Sequence, residues 1–169
     1  GEEGGYVGSS GSFDDEDSDY QDVQAATVSL REHLLWQLGL MTLSDRDRVL
    51  VRCLIDALDD DGYLTQSLDD VAETMPVELE IELEELQIAL NHLQHFDPTG
   101  VGARSAQECL SLQLAVLPVD RTRTLALEIV NHGLELLASH DFLKLKKQTG
   151  CDDDALRAAH LLICSLNPR

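Results

Sequence analysis

From residue 29 onward, hydrophobic positions recur three and four residues apart, the spacing of helices with one buried face. Leu30, Leu34, Leu35 and Leu38 share one face of a first predicted helix, with Trp36 on the opposite side and Gly39 as its stop. Ser29 and Glu32 stand ahead of it at capping-box spacing. A second helix opens at Ser44, three residues before Asp47. Its apolar arc of Val49, Leu50, Cys53, Leu54, Ala57 and Leu58 is wide and leaves only Arg48, Arg52 and Asp56 as a wet strip. Ser67 and Asp70 cap a short helix before Pro76. A longer helix follows over about 81–96, with Leu83, Leu86, Ala89, Leu90, Leu93 and Phe96 in one stripe. Asp97-Pro98-Thr99-Gly100 breaks it, and another helix is predicted over about 104–116, short of Pro118.

Beyond Pro118, Leu125, Ile129, Val130, Leu134, Leu136 and Leu137 predict one long helix. A short basic helix over 141–149 stops at Gly150, and a last one carries Ala155, Leu156, Ala159, Leu162, Ile163 and Leu166 on one face. The alternation that marks strands is absent. The predicted fold is all-α: two small helical bundles in tandem, over 29–118 and 119–169. The chain stops just after Asn167-Pro168, so it reads as a piece of a longer protein, its second bundle truncated at the C-terminus.

Residues 1–28 fit neither bundle. They hold eight Asp and Glu, no Lys or Arg, and much Gly and Ser, so they read as a disordered acidic linker. Acidity extends to the whole chain, with 32 Asp and Glu against 12 Lys and Arg. A surface of that sign repels phosphate backbones and favours basic protein surfaces, so the chain is expected not to hold DNA or RNA by itself. Between Arg52 and Arg104 there is no Lys or Arg but thirteen Asp and Glu, which points to docking on a basic surface. No apolar run approaches the ~20 residues of a membrane span, and no signal peptide is visible. Cys53, Cys109, Cys151 and Cys164 form no C-x-x-C pair and are expected as reduced thiols, mostly buried, in a cytoplasmic protein.

Candidate chemistry is thin. Asp59-Asp60-Asp61-Gly62 suggests a calcium loop, but aligning Gly62 with the loop glycine puts Ala57 at the first ligand position and Leu68 at the twelfth. The sequence therefore reads as a helix-ending turn in which Gly62 supplies a positive φ. His92 and His95 lie three apart on a polar face without the further ligands zinc needs. Gly100-Val101-Gly102 precedes a helix, but no strand precedes it, so it reads as a structural turn and not a phosphate loop. No nucleophile signature occurs. No catalytic, cofactor or metal residue is assigned, and the chain is read as a binding module, not an enzyme.

Several segments resemble a known family. They are Leu30-Arg31-Glu32-His33-Leu34-Leu35-Trp36-Gln37-Leu38, Ile55-Asp56-Ala57-Leu58-Asp59-Asp60-Asp61-Gly62-Tyr63-Leu64, and Phe96-Asp97-Pro98-Thr99-Gly100-Val101-Gly102-Ala103-Arg104, the last followed by Glu108-Cys109-Leu110 and Gln113-Leu114. Ser165-Leu166-Asn167-Pro168-Arg169 is the fourth. In this order they resemble the core-binding region of the bacterial sigma-54 transcription initiation factors, over about residues 30–169. The resemblance implies docking on core RNA polymerase through two helical subdomains, with the beta-subunit flap among the contacts. It also implies that the parent protein directs polymerase to promoters and awaits an ATP-driven activator. The regulatory N-terminal segment and the promoter-reading C-terminal regions have no counterpart in these residues.

Within this reading the candidate partner-binding residues are His33, Trp36, Asp59, Asp60 and Asp61, with Trp36 the strongest single anchor because it lies off the apolar stripe. Asp97, Pro98, Gly100 and Gly102 are expected to hold a turn, with Arg104 and Asp97 placed to pair across it. Two other classes fit parts of the chain. Residues 67–96 read as helix, turn, helix, the outline of a nucleic-acid-binding module, yet contain no Lys or Arg. A helical adaptor outside transcription is equally compatible with the composition.

Overall fold

A computed structural model describes residues 30–168. The linker expected over 1–28 and the Ser29 cap lie outside the described residues. Among the described residues every regular element is a helix.

The first helix, α1, covers 30–40 and runs through Gly39 for one further residue. Leu34 and Leu38 are buried while Trp36 and Leu40 are exposed, as the leucine stripe predicts.

The second unit spans residues 42–169. Its helix α2, Asp45–Ala57, begins where the Ser44 hydroxyl accepts the Asp47 N–H at 3.1 Å. Helix α3, Leu68–Glu73, begins the same way, with Ser67 accepting from Asp70 N–H at 3.1 Å. After Pro76 a 3₁₀ turn, Val77–Leu79, ends at Glu80, whose φ of 49° turns the chain sharply. Helix α4, Leu83–Leu93, starts with a reciprocal box between Glu82 and Glu85. Helices α2 and α4 pack together with α3 against both. Leu50, Val51, Leu54, Leu86, Leu90 and Leu93 are fully buried. Each such side chain contributes about 1.5–3 kcal/mol of transfer free energy.

Helix α5, Ala106–Ala115, is capped by Ser105, and α6, Arg121–His132, by Asp120. Then come α7, Leu134–Ala138, α8, Phe142–Thr149, and α9, Asp153–Cys164. Their core joins Leu110 and Leu114 of α5 with Ala126, Ile129 and Val130 of α6, Leu137, Leu145, and Leu156, Ala159 and Ile163 of α9. Two tandem helical bundles result.

Three local expectations are corrected. The long helix predicted across 125–137 is two helices, broken at Gly133. A Cβ there would lie 2.7 Å from the Leu145 methyl, so bare backbone at the break is what lets α8 seat Leu145 in the core. The carbonyls near the break are satisfied by side chains: Gln107 Nε2 donates to Val130 at 3.0 Å, and Gln148 Nε2 to His132 at 2.9 Å. Second, the α2 arc is not fully covered, because Val49 is 46% exposed. Third, the free thiols are less buried than predicted: Cys109 is buried, Cys53 and Cys151 are half-buried, and Cys164 is exposed. Burial pushes the Cys53 thiol pKa up, with Asp56 adding to the effect and Arg52 opposing it.

Candidate functional site

Two of the conspicuous sequence segments of the second unit, 55–64 and 96–104, meet at one joint. After α2 the Asp59 carboxylate oxygen Oδ1 accepts two backbone N–H groups, from Asp61 at 3.0 Å and Tyr63 at 2.9 Å. The chain closes further through Gly62 N–H to the Asp59 carbonyl at 3.0 Å. Gly62 takes the positive φ read from the sequence, 89°. Asp59 is therefore a structural carboxylate that wraps the turn around itself, while Asp60 and Asp61 are exposed beside it.

This turn binds the loop that follows α4. Leu64 N–H donates to the Ala103 carbonyl at 2.9 Å, and Gly102 N–H to the Gly62 carbonyl at 2.8 Å. Val101 and Ala103 are fully buried. Gln94 secures the loop from α4, donating to the Gly102 carbonyl and to Glu108 Oε1, each at 3.0 Å. Glu108 also accepts the Arg104 N–H at 2.9 Å and the Arg104 Nη2 at 2.8 Å. Burial pushes the Glu108 pKa up, but the Arg104 side chain, the Arg104 backbone N–H and Gln94 outweigh it and hold the carboxyl below its ordinary range. Arg104 is thus fixed by Glu108, one turn into α5.

The C-terminal segment is tied to α5 by a matching pair. Gln113 Nε2 donates to the Asn167 carbonyl at 2.8 Å, and Asn167 N–H donates back to Gln113 Oε1 at 3.0 Å.

The remaining sequence candidates lie on α1 and are described on their own. Trp36 is 62% exposed, and its ring stacks on that of His33 at 6.1 Å between centroids and 16° between planes. Trp36 is therefore a wet aromatic surface, the property expected of an interface anchor. Residues 67–96 do form helix, turn and helix, with a purely acidic set of charges.

Sequence reasoning missed Arg46. Its guanidinium forks onto the Glu85 carboxylate and also donates to the Leu79 carbonyl at 2.7 Å, tying α2, the 3₁₀ turn and α4 together. The hydrogen bond from Arg46 holds the Glu85 carboxyl below its usual range, helped by the Glu82 N–H, with burial opposing. No local spacing announces this pair, since its partners are 39 residues apart.

The described residues thus form an all-helical protein with Trp36 exposed on α1 and Asp60 and Asp61 exposed beside the turn after α2. The family model described as "Sigma-54 factor, core binding domain" matches residues 19–169, and the chain belongs to the sigma-54 factor family. It is 41% identical over 159 residues to the RNA polymerase sigma-54 factor of Pseudomonas putida KT2440, covering 94% of this chain and 32% of that protein. It is 43% identical over 164 residues to the RNA polymerase sigma-54 factor of Xanthomonas euvesicatoria, covering 96% and 34%. Against the RNA polymerase sigma-54 factor of Escherichia coli K12 the identity is 40% over 166 residues, covering 96% and 34%. The chain spans about a third of the length of these relatives.

Proposed function

We propose that this chain is the part of a sigma-54-type initiation factor that docks on core RNA polymerase in the cytoplasm, without catalytic activity of its own. The parent protein would direct polymerase to promoters and hold it until an ATP-dependent activator acts. The observation that carries the reading is the core-binding-domain match across 19–169, on a chain whose acidic surface exposes Trp36. Electrostatic complementarity then favours basic polymerase surfaces, the beta-subunit flap proposed among them. His33 and Trp36 supply a stacked aromatic contact, and Asp60 and Asp61 supply charge. Asp59 contributes by shaping their turn. The division into subdomains over 29–118 and 119–169 belongs to the same proposal, with the inner face of α5 reaching across it.

Size-exclusion chromatography of the chain with core polymerase tests the reading, beside Trp36→Ala. Co-migration of the parent at micromolar concentration is the expected result, weakened by the substitution. No co-migration of the parent would overturn it.

A further inference from the structure

Exposed apolar side chains stand on α2, on α4 and in the 3₁₀ turn that precedes α4. Val49 and Ile88 are 46% and 54% exposed, and Val77 in the 3₁₀ turn is 87% exposed. Val49 lines a cleft of about 190 Å³ together with Asp45, Arg46, Leu50, Leu79 and Ile81. Apolar cavities of about 150 Å³ accept a benzene-sized group, so this one has room for one large side chain. Its walls are braced by the Arg46 fork to Glu85 and Leu79, so the cleft is already formed before anything enters. Val49 stands one turn past Arg46 in the cleft wall, and Ile88 stands exposed one turn past Glu85 on α4.

The surrounding charge selects the occupant. Asp45, Glu78, Glu80, Glu82 and Glu84 lie in or beside the segments that form the cleft. The one cation lining it, Arg46, is neutralised by Glu85. On α2 the next cations are Arg48 and Arg52, further along the helix. A second copy of this chain, carrying a charge of −20, is repelled from such a rim.

We infer that this cleft is a second anchor site, taking a basic segment of the core polymerase surface. One large aliphatic or aromatic side chain enters the cleft, and flanking Lys or Arg side chains face the carboxylates. The inference rests on the polymerase-docking reading and adds to it a contact made by α2 and the segment that leads into α4.

The test is a titration of fluorescently labelled chain with core polymerase at about 0.1 M salt, where surface charges remain incompletely screened. Two double variants are compared with the parent: Val49→Gln with Ile88→Gln, and Glu78→Lys with Glu84→Lys. All four side chains are exposed, and thermal melts by circular dichroism check that each variant stays folded. Each is expected to bind about tenfold more weakly, the loss typical of truncating an interface anchor. The charge-reversed variant is also expected to lose less affinity than the parent when salt is raised. Parent binding with both variants within twofold of it overturns this inference and leaves the docking reading standing. Failure of the parent to bind overturns both. A dimer of the chain alone, abolished by Val49→Gln with Ile88→Gln, assigns the cleft to self-association and also overturns it.

Discussion

Single residues set the joint between α2 and the loop after α4. Gly102 has a φ of 79°, and a Cβ there would lie 3.3 Å from Gln94 Cγ and 3.4 Å from the side chain of Leu93, which is fully buried. Gly150 has a similar φ, 71°, with open space around it. A left-handed residue with a Cβ costs about 1–2 kcal/mol, and crowding a packed site adds about 1–3 kcal/mol. Gly150→Ala is therefore expected to lose about 1 kcal/mol in urea unfolding and Gly102→Ala about 2–4 kcal/mol; equal losses would show that the joint yields freely. At this scale the sequence was half legible. The positive φ of Gly62 follows from an Asp-rich stretch ending a helix. The hydrogen bond between Gly62 and Gly102 does not, because it links backbone groups of segments 40 residues apart and side-chain patterns carry no trace of it. Arg104 shows the same limit: its ion pair with Glu108, a carboxylate one helical turn on, is one the sequence reading did not name.

Elements were more legible than their interruptions. Ser44 and Ser67 each cap the helix that a Ser three residues before an acidic side chain announces, and Ser105 caps α5 with the same spacing to Glu108, a signal the reading of 104–116 did not use. The apolar stripes give the buried faces of α4 and α9, except that Leu83, in the first turn of α4, is 46% exposed. Periodicity cannot show the break at Gly133, because the stripe continues in phase on both sides and the cause is a side chain from α8. Replacing Gly133 tests that cause. Alanine would improve helix propensity by about 0.5–1 kcal/mol but force the Leu145 methyl to move, and overpacking of this kind costs about 1–3 kcal/mol. Gly133→Ala is expected to destabilise on balance. Leu145→Ala alone is expected to cost about 2–5 kcal/mol, and the double variant less than the sum of the two. Strict additivity in the double-mutant cycle would mean that Leu145 does not determine the break.

The whole molecule is governed by its excess of acid, 32 Asp and Glu against 12 Lys and Arg. Such a surface repels itself, so added salt at pH 7 is expected to raise the melting temperature by screening. Three carboxyls act against the trend on acidification. Glu85, Glu108 and Asp153 are held below their ordinary range, Asp153 by the Lys146 ammonium at 2.7 Å. A carboxyl with a lower pKa folded than unfolded binds its proton more readily in the unfolded chain. Its stabilisation is complete above the unfolded value, about 4.3 for Glu and 3.9 for Asp, and drains away as pH falls through the folded value. Acidification from pH 7 to about 5 is thus expected to leave these pairs intact, and the loss to set in below about pH 4. Glu108→Gln isolates one of them at the joint: it keeps an acceptor for the Arg104 N–H and Gln94 but removes the charge. Its melting temperature is expected to fall at pH 7 and to converge with the parent's as pH drops below the folded value of the Glu108 carboxyl. Curves that stay parallel throughout the acid limb would mean that the Glu108 charge contributes nothing to the fold.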